Sequence, residues 1–156
     1  MQPPPEEDAP IERLRSIMAS LRGPEGCPWD REQTLASLKR YAVEEVYEVL
    51  EAIDSGDAEA HCDELGDLLL QVVFQAQLQD EAGAFTFDDV ATAISRKLIR
   101  RHPHVFGDVV ADDPETVLRN WEAIKLEEKG GDAVRASRMD RLPQSHPALM
   151  VAREAQ

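Results

Sequence analysis

The feature that most constrains this chain is a pair of long helix-forming segments on either side of a tight turn at residues 55–57. Residues 34–54 and residues 58–81 both carry apolar side chains at helical spacing. Between residues 64 and 76 apolar side chains occupy most of the helix circumference, and a helix of this kind is normally buried. We therefore expect its one polar strip to be buried or to line a cleft. The strip holds Glu64, Asp67, Gln71 and Gln75.

The turn at Gly56 also brings acidic residues of the two helices to the same height. Glu48 precedes Gly56 by about eight residues and Glu64 follows it by about eight, while Glu45 and Asp67 are each about eleven away. Since each helix rises by about 1.5 Å per residue, the members of each pair lie at nearly matching levels of an antiparallel hairpin. We therefore predict that these four carboxylates converge on one patch between the helices.

The helical wheel of residues 34–54 places its acids on two different sides. Glu45 and Glu48 follow one edge of the apolar stripe that we expect this helix to bury, whereas Glu44 and Glu51 point more nearly to the opposite side. For Glu44 and Glu51 a solvated face paired with Lys or Arg is the favoured interpretation. The predicted apolar stripe consists of Ala42, Val46, Val49 and Ile53.

Four adjacent carboxylates cannot all remain ionised in a low-dielectric cleft without compensation. They must take up protons, move apart or bind cations, and residues 58–81 contain no Lys or Arg to pair with them. Carboxylate oxygens suit Mg²⁺ or Mn²⁺, and these ions also bind the phosphates of substrates. Inward-facing acids on neighbouring helices of a bundle are one way to build such a site. We therefore predict a divalent-cation site formed by Glu45, Glu48, Glu64 and Asp67.

The rest of the chain also favours helices. Residues 10–22, 86–101 and 113–129 carry apolar residues at helical spacing or the capping signals of helix ends, and a loop rich in Gly and Pro occupies residues 23–30. No segment alternates like a β-strand for long, and aromatic residues make up only 5% of the chain. We predict an all-α antiparallel bundle of about four to five helices.

The expected domain of this bundle covers residues 10–130. It would lie between a flexible tail, residues 1–9, and a linker-like segment, residues 131–156. We expect the apolar helix faces that the bundle leaves exposed to be covered by a second copy, in a homodimer or a dimer of dimers.

The formal net charge of −14 limits the partners of this chain. Such a field repels nucleic-acid polymers, so we expect none to bind, although metal ions and a local basic cluster would admit one small anionic substrate. The longest largely apolar run, residues 68–74, is too short to span a bilayer, so we expect no membrane contact. Cys27 and Cys62 form no disulfide framework and the N-terminus is not a signal peptide, which favours the cytoplasm.

Several motifs accompany the acidic residues. Glu44-Glu45-x-x-Glu48 is followed by Glu64-x-x-Asp67, and four longer segments occur with them. These segments are residues 26–30 (GCPWD), 63–69 (DELGDLL), 97–106 (KLIRRHPHVF) and 120–125 (NWEAIK). Together, over roughly residues 10–130, these motifs resemble those of the MazG family of all-α nucleoside triphosphate pyrophosphohydrolases, whose acidic signature is EExxE…ExxD.

The resemblance implies Mg²⁺-dependent hydrolysis of nucleoside triphosphates to the monophosphate and pyrophosphate, which removes non-standard or excess nucleotides. It implies that Glu45, Glu48, Glu64 and Asp67 bind Mg²⁺, for which Mn²⁺ is a possible substitute. Water activated by the metal would attack phosphorus, and Glu45 or Glu48 could take the proton. Glu44 matches the motif from the other side of the wheel, where it would contact substrate, help to position water or form only a surface pair.

The densest basic run of the chain, residues 95–102, offers positive charge for a triphosphate. Lys97 and Arg101 share one helix face, and the resemblance assigns both to the substrate phosphates. Trp121 and Lys125 also share a face, and the resemblance places Trp121 near the base or ribose and Lys125 near phosphate. The alternatives are a helix C-terminus enriched in cations and an ordinary core position for Trp121.

Two other interpretations of the function stay open. Residues 142–156 resemble the linker and opening of a second MazG domain, so this copy could be a non-catalytic module for oligomerisation or nucleotide sensing. Alternatively the enzyme class is the same and the substrate is one particular nucleotide, since related all-α folds act on dUTP, dCTP or phosphoribosyl-ATP. Base preference depends on the shape of the pocket, which residue spacing does not supply.

Overall fold

The regular structure of the chain is helical throughout the part that the computed structural model describes, namely Pro4 and residues 9–128. No β-strand occurs in that part. Its seven helices are α1 (Pro10–Arg22), α2 (Pro28–Glu32), α3 (Leu35–Ser55), α4 (Ala58–Glu81), α5 (Phe87–Arg101), α6 (Pro103–Phe106) and α7 (Pro114–Glu128).

The predicted all-α class is therefore confirmed. Helices α1, α3, α4, α5 and α7 occupy the five segments that the sequence predicts, and their ends agree to about one residue or two. The short helix α2 begins in the segment that was predicted to be a loop, and α6 lies between two predicted helices. Each begins with a proline, which favours a first helical turn. The predicted linker-like segment and nearly all of the tail fall outside the described residues, and the domain limits 10–130 stay a prediction.

The hairpin of α3 and α4 depends on its turn residues. Gly56 has φ 70°, a left-handed conformation that favours glycine, and it ends α3. Asp57 caps α4, since its Oδ1 accepts hydrogen bonds from the backbone N–H groups of Glu59 at 2.9 Å and Ala60 at 3.3 Å. At the other end of α3, Thr34 and Ser37 exchange side-chain to backbone hydrogen bonds in a capping box. These local interactions fix both ends of α3 and the start of α4.

The core lies where α1, α3 and α4 meet. Met18 of α1, Leu38 of α3 and Val73 and Phe74 of α4 are each at most 3% exposed. Partly buried side chains pack around them, including Phe87 at the start of α5. Because α1 packs against α4, it covers one side of the hairpin and not the other.

This arrangement corrects the predicted buried faces of the hairpin. Val46 and Ile53, which were expected in the buried stripe of α3, are 45% and 51% exposed, and α3 buries Leu38 and Ala52 instead. Ala42 and Val49 are half-buried. In α4 the buried residues begin at Gln71, and Leu65, Leu69 and Val72 are between 39% and 46% exposed. The expectation that residues 64–76 are buried nearly all round is therefore wrong. The reason is that α1 contributes its apolar residues to the other side of the hairpin.

The chain divides into two compact units, Met1–Ala93 and Ile94–Gln156, and the division falls inside α5. The first unit holds the hairpin and its core. The second unit holds the C-terminal half of α5, together with α6 and α7. Among the described helices, none combines the length and the apolar character that crossing a membrane requires.

Candidate active site

The predicted acidic site lies in the middle of the α3–α4 hairpin. Glu45 and Glu48 come from α3 and Glu64 comes from α4, and one carboxylate oxygen of each lies within 4.8 Å of those of the other two. Within the described residues, this is the only group of three His, Cys, Asp or Glu side chains close enough to hold a metal ion. The three belong to both helices, which places this site across the hairpin rather than along one helix.

Asp67, the fourth predicted ligand, lies beside this group but is not one of the three. Its charge, together with that of Glu48, contributes to the raised pKa of Glu45, for which burial is the largest cause. The pKa of Glu64 is raised for the same reasons, namely burial first and then the charges of Glu48 and Asp67. The four carboxylates therefore repel one another at neutral pH, as the sequence predicts for convergent acids.

A hard divalent cation fits the side chains of this cluster. All four residues offer carboxylate oxygens, the ligands that Mg²⁺ and Mn²⁺ prefer. Oε2 of Glu64 is buried and has no hydrogen-bond partner among the described residues. No ion pair with Lys or Arg involves any of the four within that part of the chain. A cation in the cluster would satisfy the unpaired oxygen and reduce the repulsion at the same time.

Gln71 is a neighbour of the cluster that was not predicted as a site residue. Its side chain is only 7% exposed, and its Nε2 donates a hydrogen bond to Oε1 of Glu45 at 3.4 Å. This hydrogen bond opposes the burial and charge effects that raise the pKa of Glu45. A signal was present in the sequence, because Gln71 lies on the strip of Glu64 and Asp67 and interrupts the apolar run of residues 68–74.

Glu44 and Glu51 lie outside the cluster, on exposed parts of α3. Glu44 is near Arg40, whose raised pKa is due mainly to its hydrogen bond with Tyr41 and to a small degree to the charge of Glu44. Glu44 forms no ion pair with Lys or Arg within the described residues, so the surface pair that was one of three interpretations of Glu44 is not observed there. A substrate contact by Glu44 stays a prediction.

The predicted phosphate-binding residues lie in the second unit. Arg101 is 15% exposed at its side chain and forms an ion pair with Glu128, in which Nη2 and Oε2 are 2.6 Å apart. Arg100 also contacts Glu128, and its Nε lies 2.6 Å from Oε1. These guanidinium groups hold the pKa of Glu128 far below its ordinary value, at about 2, and the hydrogen bond from Arg101 is the largest cause. The partner was not predicted, because 27 residues separate Arg101 and Glu128.

Trp121 brings two of the predicted substrate-binding cations together. The guanidinium carbon of Arg101 lies 5.1 Å from the centre of the Trp121 ring, and Nζ of Lys125 lies 5.0 Å from it. Trp121 also lines an open pocket with His102 and Leu118. Lys97 is exposed on α5. The structure therefore joins Arg101, Trp121 and Lys125 in one cluster of the second unit, while the acidic site lies in the first.

The fold and the acidic cluster define an all-α protein with a carboxylate site of the kind that binds divalent cations. Residues 33–106 match the model of the MazG nucleotide pyrophosphohydrolase domain. The match covers the α3–α4 hairpin with its four acids, and it covers Lys97 and Arg101, but it ends before Trp121 and Lys125. Residues 33–106 are therefore similar to the MazG nucleotide pyrophosphohydrolase domain.

Three relatives are similar to this chain over more than nine-tenths of its length. The chain is 53% identical over 147 residues to the nucleoside triphosphate pyrophosphohydrolase of Escherichia coli K12, covering 94% of this chain and 56% of that protein. It is 52% identical over 146 residues to the nucleoside triphosphate pyrophosphohydrolase/pyrophosphatase MazG of Thermotoga maritima, covering 94% and 55%. It is also 52% identical over 143 residues to the uncharacterized protein YabN of Bacillus subtilis, covering 92% and 29%. The chain thus spans little more than half of the first two relatives and under a third of the third.

Proposed function

We propose that this chain hydrolyses nucleoside triphosphates to nucleoside monophosphate and pyrophosphate, within the nucleotide pool of the cytoplasm. The observation that carries the proposal is the cluster of Glu45, Glu48 and Glu64, whose carboxylate oxygens lie within 4.8 Å of one another. Support also comes from the names of the relatives in Escherichia coli and Thermotoga maritima. Non-standard or excess nucleotides are the proposed substrates.

Mg²⁺ is the proposed cofactor, with Mn²⁺ as a substitute, and Glu45, Glu48, Glu64 and Asp67 are the proposed ligands. A divalent cation would supply Lewis acidity, since it neutralises phosphate charge and makes water a better nucleophile. In the reaction, the oxygen of water bonds to one phosphorus of the α–β bridge and the bridging P–O bond breaks. Glu45 or Glu48 would accept the proton of that water.

The basic cluster of the second unit is proposed to bind the substrate. Lys97, Arg101 and Lys125 would contact the phosphates, and Trp121 would stack near the base or ribose. Arg101 can present its Nε–Nη2 edge to phosphate only if it releases Glu128, because the present ion pair occupies these two atoms. A carboxylate and a phosphate compete for the same planar guanidinium, so this exchange is chemically reasonable. Glu44 is proposed as a further substrate contact.

We also propose that the chain forms a homodimer or a dimer of dimers. The hairpin exposes a set of large apolar side chains, many of them about half exposed. Large exposed apolar patches are typical of protein–protein interfaces. The proposed interface would include α3 and the part of α4 up to Val72. Sedimentation velocity of the whole chain would test this proposal, and a monomer at micromolar concentration would reject it. The exposed apolar side chains of this proposed interface are Val43, Val46, Tyr47, Leu50, Ile53, Leu65, Leu69 and Val72.

The experiment that tests the function is a product assay with a panel of triphosphates. The whole chain would be incubated with standard and modified nucleoside triphosphates and Mg²⁺, and pyrophosphate and monophosphate would be measured separately. We expect equal amounts of the two products. The variant Asp67→Asn should lose this activity while its circular dichroism spectrum stays unchanged, and the matched variant Asp63→Asn should remain active.

The result also separates catalysis from the non-catalytic alternative. If Mn²⁺ and nucleotide bind but no triphosphate of the panel yields pyrophosphate, the chain is a binding or assembly module. If orthophosphate and diphosphate form instead, the bond cleaved is the β–γ bridge and the proposed reaction is wrong.

A further inference from the structure

Gln71 occupies an unusual position in the first unit. It is the one polar side chain among the described residues that is more than nine-tenths buried. It lies on α4 one turn after Asp67 and two turns after Glu64, so all three share one face of the helix. The next buried residues, Val73 and Phe74, belong to the core. Gln71 therefore lies at the boundary between the acidic cluster and the apolar core.

The contacts of Gln71 are incomplete for a purely structural residue. Its Nε2 donates to Oε1 of Glu45, but its own Oε1 is buried and has no hydrogen-bond partner in the described part of the chain. A glutamine amide offers two donors and one acceptor, and a buried acceptor without a partner destabilises the fold. Reversing the amide would place its carbonyl oxygen against the carboxylate of Glu45 and lose the only hydrogen bond. An apolar side chain of similar volume would avoid this cost.

We propose that Gln71 is a positioning residue, whose amide holds the carboxylate of Glu45 in the orientation that binds a divalent cation. This inference rests on the cation site of the proposed function. A carboxylate that is free to rotate must be ordered when a cation binds, whereas the hydrogen bond from Gln71 orders it beforehand. Hydrogen-bond partners of metal-binding carboxylates commonly tune metal affinity in this way.

The test compares Gln71→Met with Gln75→Met. Methionine is unbranched and similar in length to glutamine, so it fills the space without the amide. Gln75 lies one turn further along the same strip and is partly exposed, which makes it a matched control. Binding of Mn²⁺ alone, without nucleotide, would be measured by electron paramagnetic resonance, and the midpoint of thermal unfolding would be measured on the same samples.

We expect Gln71→Met to weaken Mn²⁺ binding about tenfold, while Gln75→Met binds as the original chain does. The unfolding midpoint of Gln71→Met without metal should be unchanged or higher, because the unpaired acceptor is removed. Unchanged Mn²⁺ affinity in Gln71→Met would overturn the proposal. A loss of affinity that is accompanied by an equal loss of folded structure would also overturn it, since the role would then be structural.

A second measurement needs no change at position 71. The side-chain amide protons of Gln71 can be followed by nuclear magnetic resonance in Glu45→Gln and in Glu51→Gln, a matched control on the exposed side of α3. The amide signals should move in Glu45→Gln and stay in place in Glu51→Gln. If the amide signals of Gln71 do not move in Glu45→Gln, the proposed contact is wrong.

Failure of this inference is distinguishable from failure of the proposed function. If the chain releases pyrophosphate and Gln71→Met binds Mn²⁺ normally, the positioning role is wrong and the enzyme function stands. If no triphosphate is hydrolysed and Gln71→Met still weakens Mn²⁺ binding, the positioning role stands for a cation site with another purpose.

Discussion

Two charged regions of this protein differ in whether their acidic side chains are paired with basic ones. In the middle of the α3–α4 hairpin, Glu45, Glu48 and Glu64 converge without a basic partner among the described residues, and the pKa values of Glu45 and Glu64 are raised. In the second unit, Arg100 and Arg101 neutralise Glu128 and lower its pKa. In the second region the negative charge is thus paired within the chain, whereas the acids of the first region have no basic partner among the described residues.

The largest expected effect comes from removing one acid of the hairpin cluster. Glu48→Gln should reduce pyrophosphate release by at least about 100-fold, since substitutions of mere outer-shell partners already cost 10- to 100-fold. Without metal, the same variant should unfold at a higher temperature because one repulsive charge is gone. Steady-state assays and thermal unfolding would measure both effects. The control is Glu51→Gln on the exposed side of α3, and equal activity of the two variants would contradict the assignment.

The next effect is stabilisation of the apo protein by cations. A ligand that binds only the folded state at 100 times its dissociation constant raises the free energy of unfolding by about 2.7 kcal/mol. Mg²⁺ or Mn²⁺ at that level should therefore raise the unfolding midpoint, and a chelator should reverse the shift. In Asp67→Asn the shift should be much smaller. An equal shift in both proteins would mean that the cation binds elsewhere.

A smaller effect is expected in the second region, where Glu128 occupies Arg101. Glu128→Gln should weaken the ion pair and free Arg101 for phosphate, so the KM for the triphosphate should fall while kcat stays nearly constant. Glu127→Gln, one residue earlier in α7 and also exposed, provides the control. A higher KM in Glu128→Gln would show that the pair with Glu128 positions Arg101 rather than competing with the substrate.

The smallest effect is the dependence of stability on pH, and its sign differs between the regions. Burial and neighbouring carboxylates raise the pKa of Glu64 above its ordinary 4.5. The contribution of Glu64 to the free energy of unfolding is therefore largest below pH 4.5 and declines as the pH rises through the raised value. Arg101 and Arg100 lower the pKa of Glu128 from 4.5 to about 2, so its contribution is present above pH 4.5 and declines as the pH falls towards 2.

Carboxyl carbon chemical shifts, followed through a pH titration without metal, would measure both groups in one sample. In Glu64→Gln and in Glu128→Gln, the unfolding midpoint should vary less with pH over the range in which the removed carboxyl group titrates. A Glu64 that titrates below 4.5 would remove the contrast between the two regions.

Much of the fold was predictable because its determinants are local. The residues that end and begin the hairpin helices, Gly56 and Asp57, act through their own backbone conformation and the next turn of helix. Helical rise and the position of the turn then fix the heights of Glu48 and Glu64, so their convergence also follows from the chain. The structure brings Glu45, Glu48 and Glu64 together and places Asp67 beside them, while their role as metal ligands stays a prediction.

The tertiary structure decided the features that depend on packing between distant segments. Contact of α1 with the hairpin buries Leu38 and leaves Val46 and Ile53 exposed. A helical wheel of α3 alone does not predict which of these residues are buried. The pairing of Arg101 with Glu128 and the contact of Gln71 with Glu45 likewise join residues 26 or 27 positions apart. The sequence by itself determined the helices and the levels of their acids, because these depend on regular geometry. Side-chain partners were decided by packing, because they depend on which faces meet.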